Sequence, residues 1–211
     1  MVDKASGLLT VSTATEREKT AYFLLNDYVR KGQAKSKKRV FIVHRLDRDT
    51  SGLLVFAKSE EAKQYLQEEW QGFQKMYYAV VEGAMPQPSG EISSYLAENS
   101  AHQVYSTKDE TLGKHAKTGY RVLKKAGPFS LLEVELFTGR KNQIRVHLAD
   151  LGHPVAGDER YGAQARGVKR LCLHSASLAL RHPRTKEPLR FQAELPAYFK
   201  VLMRLPSAPF P

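Results

Sequence analysis

Val40-Phe41-Ile42-Val43-His44-Arg45-Leu46-Asp47-Arg48-Asp49-Thr50-Ser51-Gly52-Leu53-Leu54-Val55-Phe56-Ala57 runs apolar, then polar, then apolar again. The flanking runs, Val40 to Val43 and Leu53 to Ala57, have the length and branched content of short buried strands. His44 to Gly52 is therefore a loop held between strands. A carboxylate in such a loop is aimed by its rigid flanks and partly desolvated, while neighbouring arginines can keep it ionised. Asp47 or Asp49 is thereby a candidate nucleophile. The same residue types also make ordinary turn hydrogen bonds, so composition alone does not separate a site from a turn.

Towards the N-terminus, Thr13 to Arg30 reads as an amphipathic helix capped by Thr13 or Thr15, with Ala21, Leu24, Leu25 and Tyr28 at helical spacing. It runs into a basic stretch, Arg30 to Arg39, in which six of ten residues are Lys or Arg. Gly32 and Ser36 break that stretch, which suits an exposed loop facing phosphates or simply facing water. Towards the C-terminus, Ser59 caps a second helix with Glu60 and Glu61 in its first turn and Gly72 just past its end. Lys75 to Val81 follows as a strand, and Gly90 to Leu123 alternates weakly, as a set of short strands. Leu132, Val134 and Leu136 alternate with Glu133 and Glu135, the period of a strand with one wet face. Ile144, His147, Leu148 and Leu151 then fit a short helix closed by Gly152. Leu171 to Ala179 and Leu189 to Gln192 read as further strands joined by the turn His182 to Pro188. Strands outnumber helices without strict alternation, which predicts an α+β fold around a mixed, mainly antiparallel sheet flanked by helices and loops.

Charge narrows the partners. The 211 residues hold 33 Lys and Arg against 22 Asp and Glu, a net +11. A surplus of that size at the surface attracts polyanions. No apolar stretch is long enough to span a bilayer, and the first residues lack a secretory layout, so a cytoplasmic protein without membrane attachment is expected. The lone Cys172 can form neither an internal disulfide nor a multi-thiolate zinc site. The seven histidines are scattered without a two-histidine helical signature, so no metal is expected. Ser51-Gly52 lacks a nucleophile elbow, and no Gly-rich loop precedes a Lys-Ser or Lys-Thr pair, which sets aside serine hydrolases and nucleotide cofactors.

A second cluster, Gly139-Arg140-Lys141-Asn142-Gln143-Ile144-Arg145-Val146-His147, puts Arg145 on a helix that begins right after a strand. From there it can reach back to a carboxylate, or lie on a basic helix face in water.

His44 through Leu54 resembles the signature of the ribosomal large-subunit type, A branch, of the pseudouridine synthases. The resemblance continues in order through Lys75-Met76-Tyr77, Gly139-Arg140 with Gln143-Ile144-Arg145-Val146-His147, Gly152-His153-Pro154, Gly157-Asp158, Tyr161-Gly162, Leu173-His174, His182-Pro183 and Leu195-Pro196. It covers almost the whole chain, as one catalytic domain over residues 1–211. Two features depart from the family. Lys4-Ala5-Ser6-Gly7 stands where Lys-Pro-x-Gly is usual, with a first strand shortened or missing, and Lys141-Asn142 replaces the commoner Thr or Ser followed by His. A separate RNA-binding domain ahead of the catalytic part is not expected.

The resemblance implies isomerisation of uridine to pseudouridine in structured RNA, ribosomal or transfer, without a cofactor; a monomer is expected because the sequence shows no extended apolar seam. It implies that Asp47 is the nucleophile, Tyr77 the tyrosine stacked on the target base, and Arg145 the arginine that pairs with Asp47 and depresses its pKa. Leu173 would pack beneath the base. His44, Arg45, Arg48, Thr50, Ser51, Arg140 and Gln143 are the other expected substrate contacts, and Lys35, Lys37, Lys38 and Arg39 would meet phosphates. A protein that grips or remodels RNA on the same fold without catalysis is the competing reading.

Overall fold

The protein is described by a computed structural model covering residues 1–33 and 35–206. Its strands are β1 (Val2–Lys4), β2 (Phe41–Ile42), β3 (Ser51–Leu54), β4 (Phe56–Ala57), β5 (Gln74–Glu82), β6 (Ser89–Glu98), β7 (Val104–Thr107), β8 (Lys114–Ala126), β9 (Phe129–Leu136), β10 (Leu173–Arg181) and β11 (Pro188–Gln192). The helices are α1 (Ala21–Arg30), α2 (Glu60–Glu68), α3 (Gln143–Asp150) and α4 (Ala197–Leu202).

One nine-stranded sheet runs in the order β1-β3-β10-β5-β9-β8-β6-β7, with β11 paired to β10 off this path, and β2 pairs with β4 apart from it. Among these strands the pairings are antiparallel except β3 with β10, where His174 lies opposite Ser51. The mixed, mainly antiparallel α+β architecture expected from the sequence is the one observed. The first strand is present as the three residues of β1, with Lys4 opposite Gly52.

Adjacent residues of β3 enter different apolar clusters. Leu54 packs with Val80, Val81, Leu131, Leu132 and Val134 and with Phe199 and Met203 at the C-terminal end, whereas Leu53 packs with Val43, Val55, Leu66, Phe73, Leu178 and Leu180. Side chains alternate across a strand, so β3 is covered on both faces. That double burial fixes the strand that leads out of the polar loop. Gly52 is required there: its φ is +105°, and a Cβ would stand 2.2 Å from the Ser175 carbonyl oxygen across the parallel pair.

Four local expectations change, the first being the second helix, which ends at Glu68 and is followed by a 3-10 turn over Trp70–Gly72. The helix expected over Thr13–Arg30 begins only at Ala21, capped by Thr20, whose hydroxyl accepts from the Phe23 N–H at 3.1 Å. Thr13 and Glu16 use their capping chemistry in a tight turn instead: the Glu16 N–H donates to Thr13 Oγ1 at 3.1 Å and the Lys19 N–H to Glu16 Oε1 at 3.1 Å. The apolar runs around the polar loop are broken, because the Val40 N–H donates to Asn26 Oδ1 and the Val55 N–H to His44 Nε2 rather than to a ladder. The weakly alternating middle is not a set of short strands only, since β6 and β8 extend over 10 and 13 residues. Their alternation is weak because both hold polar residues on a largely solvated surface, so packing imposes little period.

Candidate functional site

Asp47 sits in the loop between β2 and β3, at the edge of an open cleft of about 240 Å³. It is the only acidic residue lining that cleft among the described residues. Asp49, the other candidate, is exposed and lines a different depression with Ser6, Gly7 and Arg160. The floor comes from the central sheet: Tyr77 on β5 and Leu173 on β10, with 8% and 3% of their surface exposed, both face the cleft.

Arg145 comes from the opposite wall, on α3. Its Nη1 stands 3.6 Å from Asp47 Oδ2. Its stronger partner is Asp158: Nε meets Oδ2 and Nη2 meets Oδ1, both at 2.7 Å, with the Asp158 side chain 1% exposed. Such a two-bond fork holds a guanidinium in one plane. Asn142 Oδ1 accepts from Nη1 at 3.2 Å, and the Tyr161 ring lies 4.9 Å from the guanidinium carbon. Asn142 itself has φ +53°, a left-handed conformation that asparagine tolerates better than most residues, and its amide donates to the Tyr161 hydroxyl at 3.0 Å.

A buried polar network holds α3 against the sheet. His147 bonds Thr118 Oγ1 at 2.8 Å through Nδ1 and Ser94 Oγ at 3.0 Å through Nε2. Burial lowers its pKa to about 4, so the ring is neutral at physiological pH. Gln143 accepts from the Thr138 hydroxyl and the Arg140 N–H, and its amide donates to the Lys117 carbonyl and to Thr118 Oγ1. It lines the cleft with its amide fully engaged inside the protein, which makes it a brace for the wall.

The remaining expected residues divide. His44, Arg45, Thr50 and Arg140 line the cleft. His44 stacks on Trp70 with ring centroids 4.2 Å apart, and its pKa is lowered to about 3, by burial first and by the nearby Lys75 charge second. Its Nε2 accepts from the Val55 N–H, so the ring proton lies on Nδ1. Arg140 Nε donates to the His115 carbonyl at 2.9 Å. Ser51 and Arg48 lie outside the cleft: Ser51 is buried against His174 Nδ1 at 2.8 Å, and Arg48 donates from Nε to the Gly7 carbonyl at 3.1 Å. Lys35, Lys37, Lys38 and Arg39 are exposed on the loop after α1, with Arg39 over the Phe41 ring, and none of them lines the cleft.

Electrostatics reverse one expectation. Burial pushes the Asp47 carboxyl above its ordinary value of 3.8; Arg145 and Arg45 offset this only in part, and Asp158 adds to the rise. Arg145 directs its best geometry at Asp158, and its pull on Asp47 is outweighed by burial. The Tyr77 phenol is pushed up to about 12, by burial first and by the Asp47 charge to a lesser degree, against a lowering hydrogen bond with Ser175.

The sequence reading missed Asp158, Asn142 and Trp70 as parts of the site. Gly157-Asp158 offered a signal: Gly157 has φ +79°, and a Cβ there would come within 2.2 Å of the Arg170 carbonyl oxygen, so the glycine seats the aspartate.

The α+β sheet thus carries an open cleft with an aromatic and aliphatic floor, one acidic residue on its lining among the described residues, and a guanidinium fixed by two bonds. The RNA pseudouridylate synthase family model matches residues 1–150, and the chain belongs to that family. An uncharacterized RNA pseudouridine synthase of Chloroflexus aurantiacus is 42% identical over 167 residues, covering 77% of this chain and 52% of that protein. The ribosomal large subunit pseudouridine synthase C of Vibrio cholerae is 35% identical over 168 residues, covering 75% and 53%. This chain thus spans about half the length of these curated relatives. Among solved structures, human RNA pseudouridylate synthase domain containing 4 shares the fold, with a TM-score of 0.77 at 22% identity over 99% of this chain and 90% of that one.

Proposed function

We propose that this chain isomerises uridine to pseudouridine in folded RNA, with Asp47 as the nucleophile. The observation that carries the reading is Asp47 itself: the only carboxylate lining the cleft among the described residues, 3.6 Å from a guanidinium that Asp158 holds in place, above a floor of Tyr77 and Leu173. A uracil taken out of its stack, at a cost of roughly a few kcal/mol, is received on that flat apolar floor. The bond from uracil nitrogen 1 to the sugar breaks, the base turns, and the sugar carbon rejoins at carbon 5. The hydrogen of carbon 5 leaves as a proton and nitrogen 1 gains one. Asp47 bonds transiently to the base at carbon 6 or to the sugar carbon, and is released at the end.

The isomerisation is redox-neutral and transfers no external group, so the reading needs no cofactor. It carries with it a cytoplasmic enzyme acting as a monomer. Arg45 and Arg140 at the rim, and the cations of the loop after α1, are the candidate phosphate contacts. The name of the Vibrio cholerae relative makes large-subunit ribosomal RNA the first substrate to try, ahead of transfer RNA.

The test is release of tritium from RNA labelled at uracil carbon 5, with wild type and Asp47→Asn side by side. Release by the wild type alone supports both the reaction and the nucleophile. RNA bound without release by folded wild-type protein favours the binding-only alternative, and equal release by both proteins sinks the role of Asp47.

A further inference from the structure

The loop from Val43 to Thr50 has no strand ladder, and among the described residues the one ion pair of the Asp47 side chain is the 3.6 Å contact with Arg145. Its backbone is fixed from elsewhere. Thr10, 2% exposed and outside the cleft, accepts the Leu46 N–H on Oγ1 at 3.1 Å and donates the same hydroxyl to the Leu46 carbonyl at 2.8 Å. One hydroxyl thereby satisfies both backbone groups of the residue just before Asp47, including the carbonyl of the peptide bond that joins them.

Thr10 is anchored in turn. Its own carbonyl accepts from the Tyr22 N–H at 3.1 Å, and the Leu9 carbonyl from the Ala21 N–H at 2.8 Å, both in the first turn of α1. Past Asp47, the Arg48 carbonyl accepts from the Gly7 N–H at 3.0 Å and from Lys4 Nζ at 2.8 Å, and the Asp49 carbonyl from the Ser6 hydroxyl at 2.8 Å. The segment Lys4 to Thr10 therefore grips the loop on both sides of the carboxylate, and the Thr10 hydroxyl is its buried hold on the near side.

We infer that Thr10 is a positioning residue for Asp47, holding the carboxylate where it can attack without touching the RNA. The inference rests on Asp47 being the nucleophile. A hydroxyl that only filled space would be replaceable by a methyl. One that sets the position of a nucleophile is not, because a displacement of about 1 Å at a reacting centre can cost on the order of a hundredfold in rate.

Thr10→Val keeps the branched shape and removes both bonds; Thr10→Ser keeps the hydroxyl. Both are compared with wild type for kcat and KM in tritium release from carbon 5 of labelled RNA, together with thermal melts. For Thr10→Val the expectation is a fall in kcat of about 10- to 100-fold with KM for RNA within about twofold, and for Thr10→Ser a kcat within about threefold of wild type. If Thr10→Val does not fold, Thr10→Cys, of similar size and weak hydrogen bonding, carries the same expectation. A wild-type kcat in a folded Val or Cys variant overturns the inference, as does failure of Ser to rescue. Absence of release from wild type overturns instead the functional reading on which it stands.

Discussion

Arg145 meets Asp158 through two bonds of 2.7 Å and Asp47 through a single contact of 3.6 Å. The guanidinium is thus built into the wall by one carboxylate and offered to another. The division follows from burial, since the Asp158 side chain is 1% exposed and the Asp47 side chain 28%. Asp158 needs full compensation for its charge, whereas Asp47 keeps an open side for a ligand.

Asp158→Ala leaves the Arg145 charge buried with, among the described residues, Asn142 and the more distant Asp47 as its polar partners. Removing one member of a buried pair costs about 3–5 kcal/mol, so urea denaturation should show a lower midpoint. Tritium release per folded molecule should fall by more than about tenfold, because the guanidinium is no longer held in its plane. An unchanged midpoint would mean that Asp158 does not hold the arginine in solution.

Asp47→Asn should abolish release and yet not weaken the fold at neutral pH. The folded-state pKa of Asp47 is raised above 3.8, chiefly by burial. A raised carboxyl binds its proton more tightly when folded, so the group favours folding below the unfolded value and opposes it once pH has risen through the folded value. Asparagine removes that opposition, so denaturation at pH 7 should show a stability equal to or above wild type, with the difference shrinking as pH falls towards 3.8. A clearly less stable variant at pH 7 contradicts the sign. In the same way, wild-type kcat/KM should decline on the acid side at a pH above 3.8.

Tyr77→Phe keeps the ring and removes the oxygen. At a pKa of about 12 the phenol is protonated in the free enzyme. On the proposed reaction, once Asp47 is covalently engaged its charge is gone and one of the two influences that raise Tyr77 disappears, so the phenol gives up its own proton to solvent more readily and the phenolate can then take the hydrogen of carbon 5 as a proton. The expectation is a kcat loss of about a hundredfold with KM within about twofold, whereas Tyr77→Ala should raise KM as well. Full activity in Tyr77→Phe would restrict the residue to a platform.

The cations after α1 are expected to act on binding alone. Lys37→Glu with Lys38→Glu should raise KM for RNA, leave kcat unchanged, and make the slope of log affinity against log salt shallower by about one unit for each phosphate that is no longer neutralised. An unaltered salt slope would place the RNA elsewhere on the surface.

The features legible along the chain are those that near neighbours encode. The polar loop bounded by apolar runs, the Ser59 cap of α2, the alternation along β9 and the basic surplus all depend on residues a few positions apart, where period and capping chemistry act directly. Together they were enough for an α+β sheet protein, and the resemblance carried by its motifs added Asp47, Tyr77, Arg145 and Leu173 as candidates in one site.

Which of those side chains share a cleft, and what holds each one, depends on contacts between residues far apart in the chain. Asp47 and Asp49 are two residues apart and chemically alike, yet one lines the cleft and the other does not. Gln143 reads as a ligand contact until its amide is seen bonded to Thr138, Arg140, Lys117 and Thr118. Thr10 reads as nothing until it is found 36 residues away against Leu46. The reason is physical: a side-chain hydrogen bond depends on distance and direction to within a fraction of an ångström, and folding sets those after the local pattern has already been satisfied.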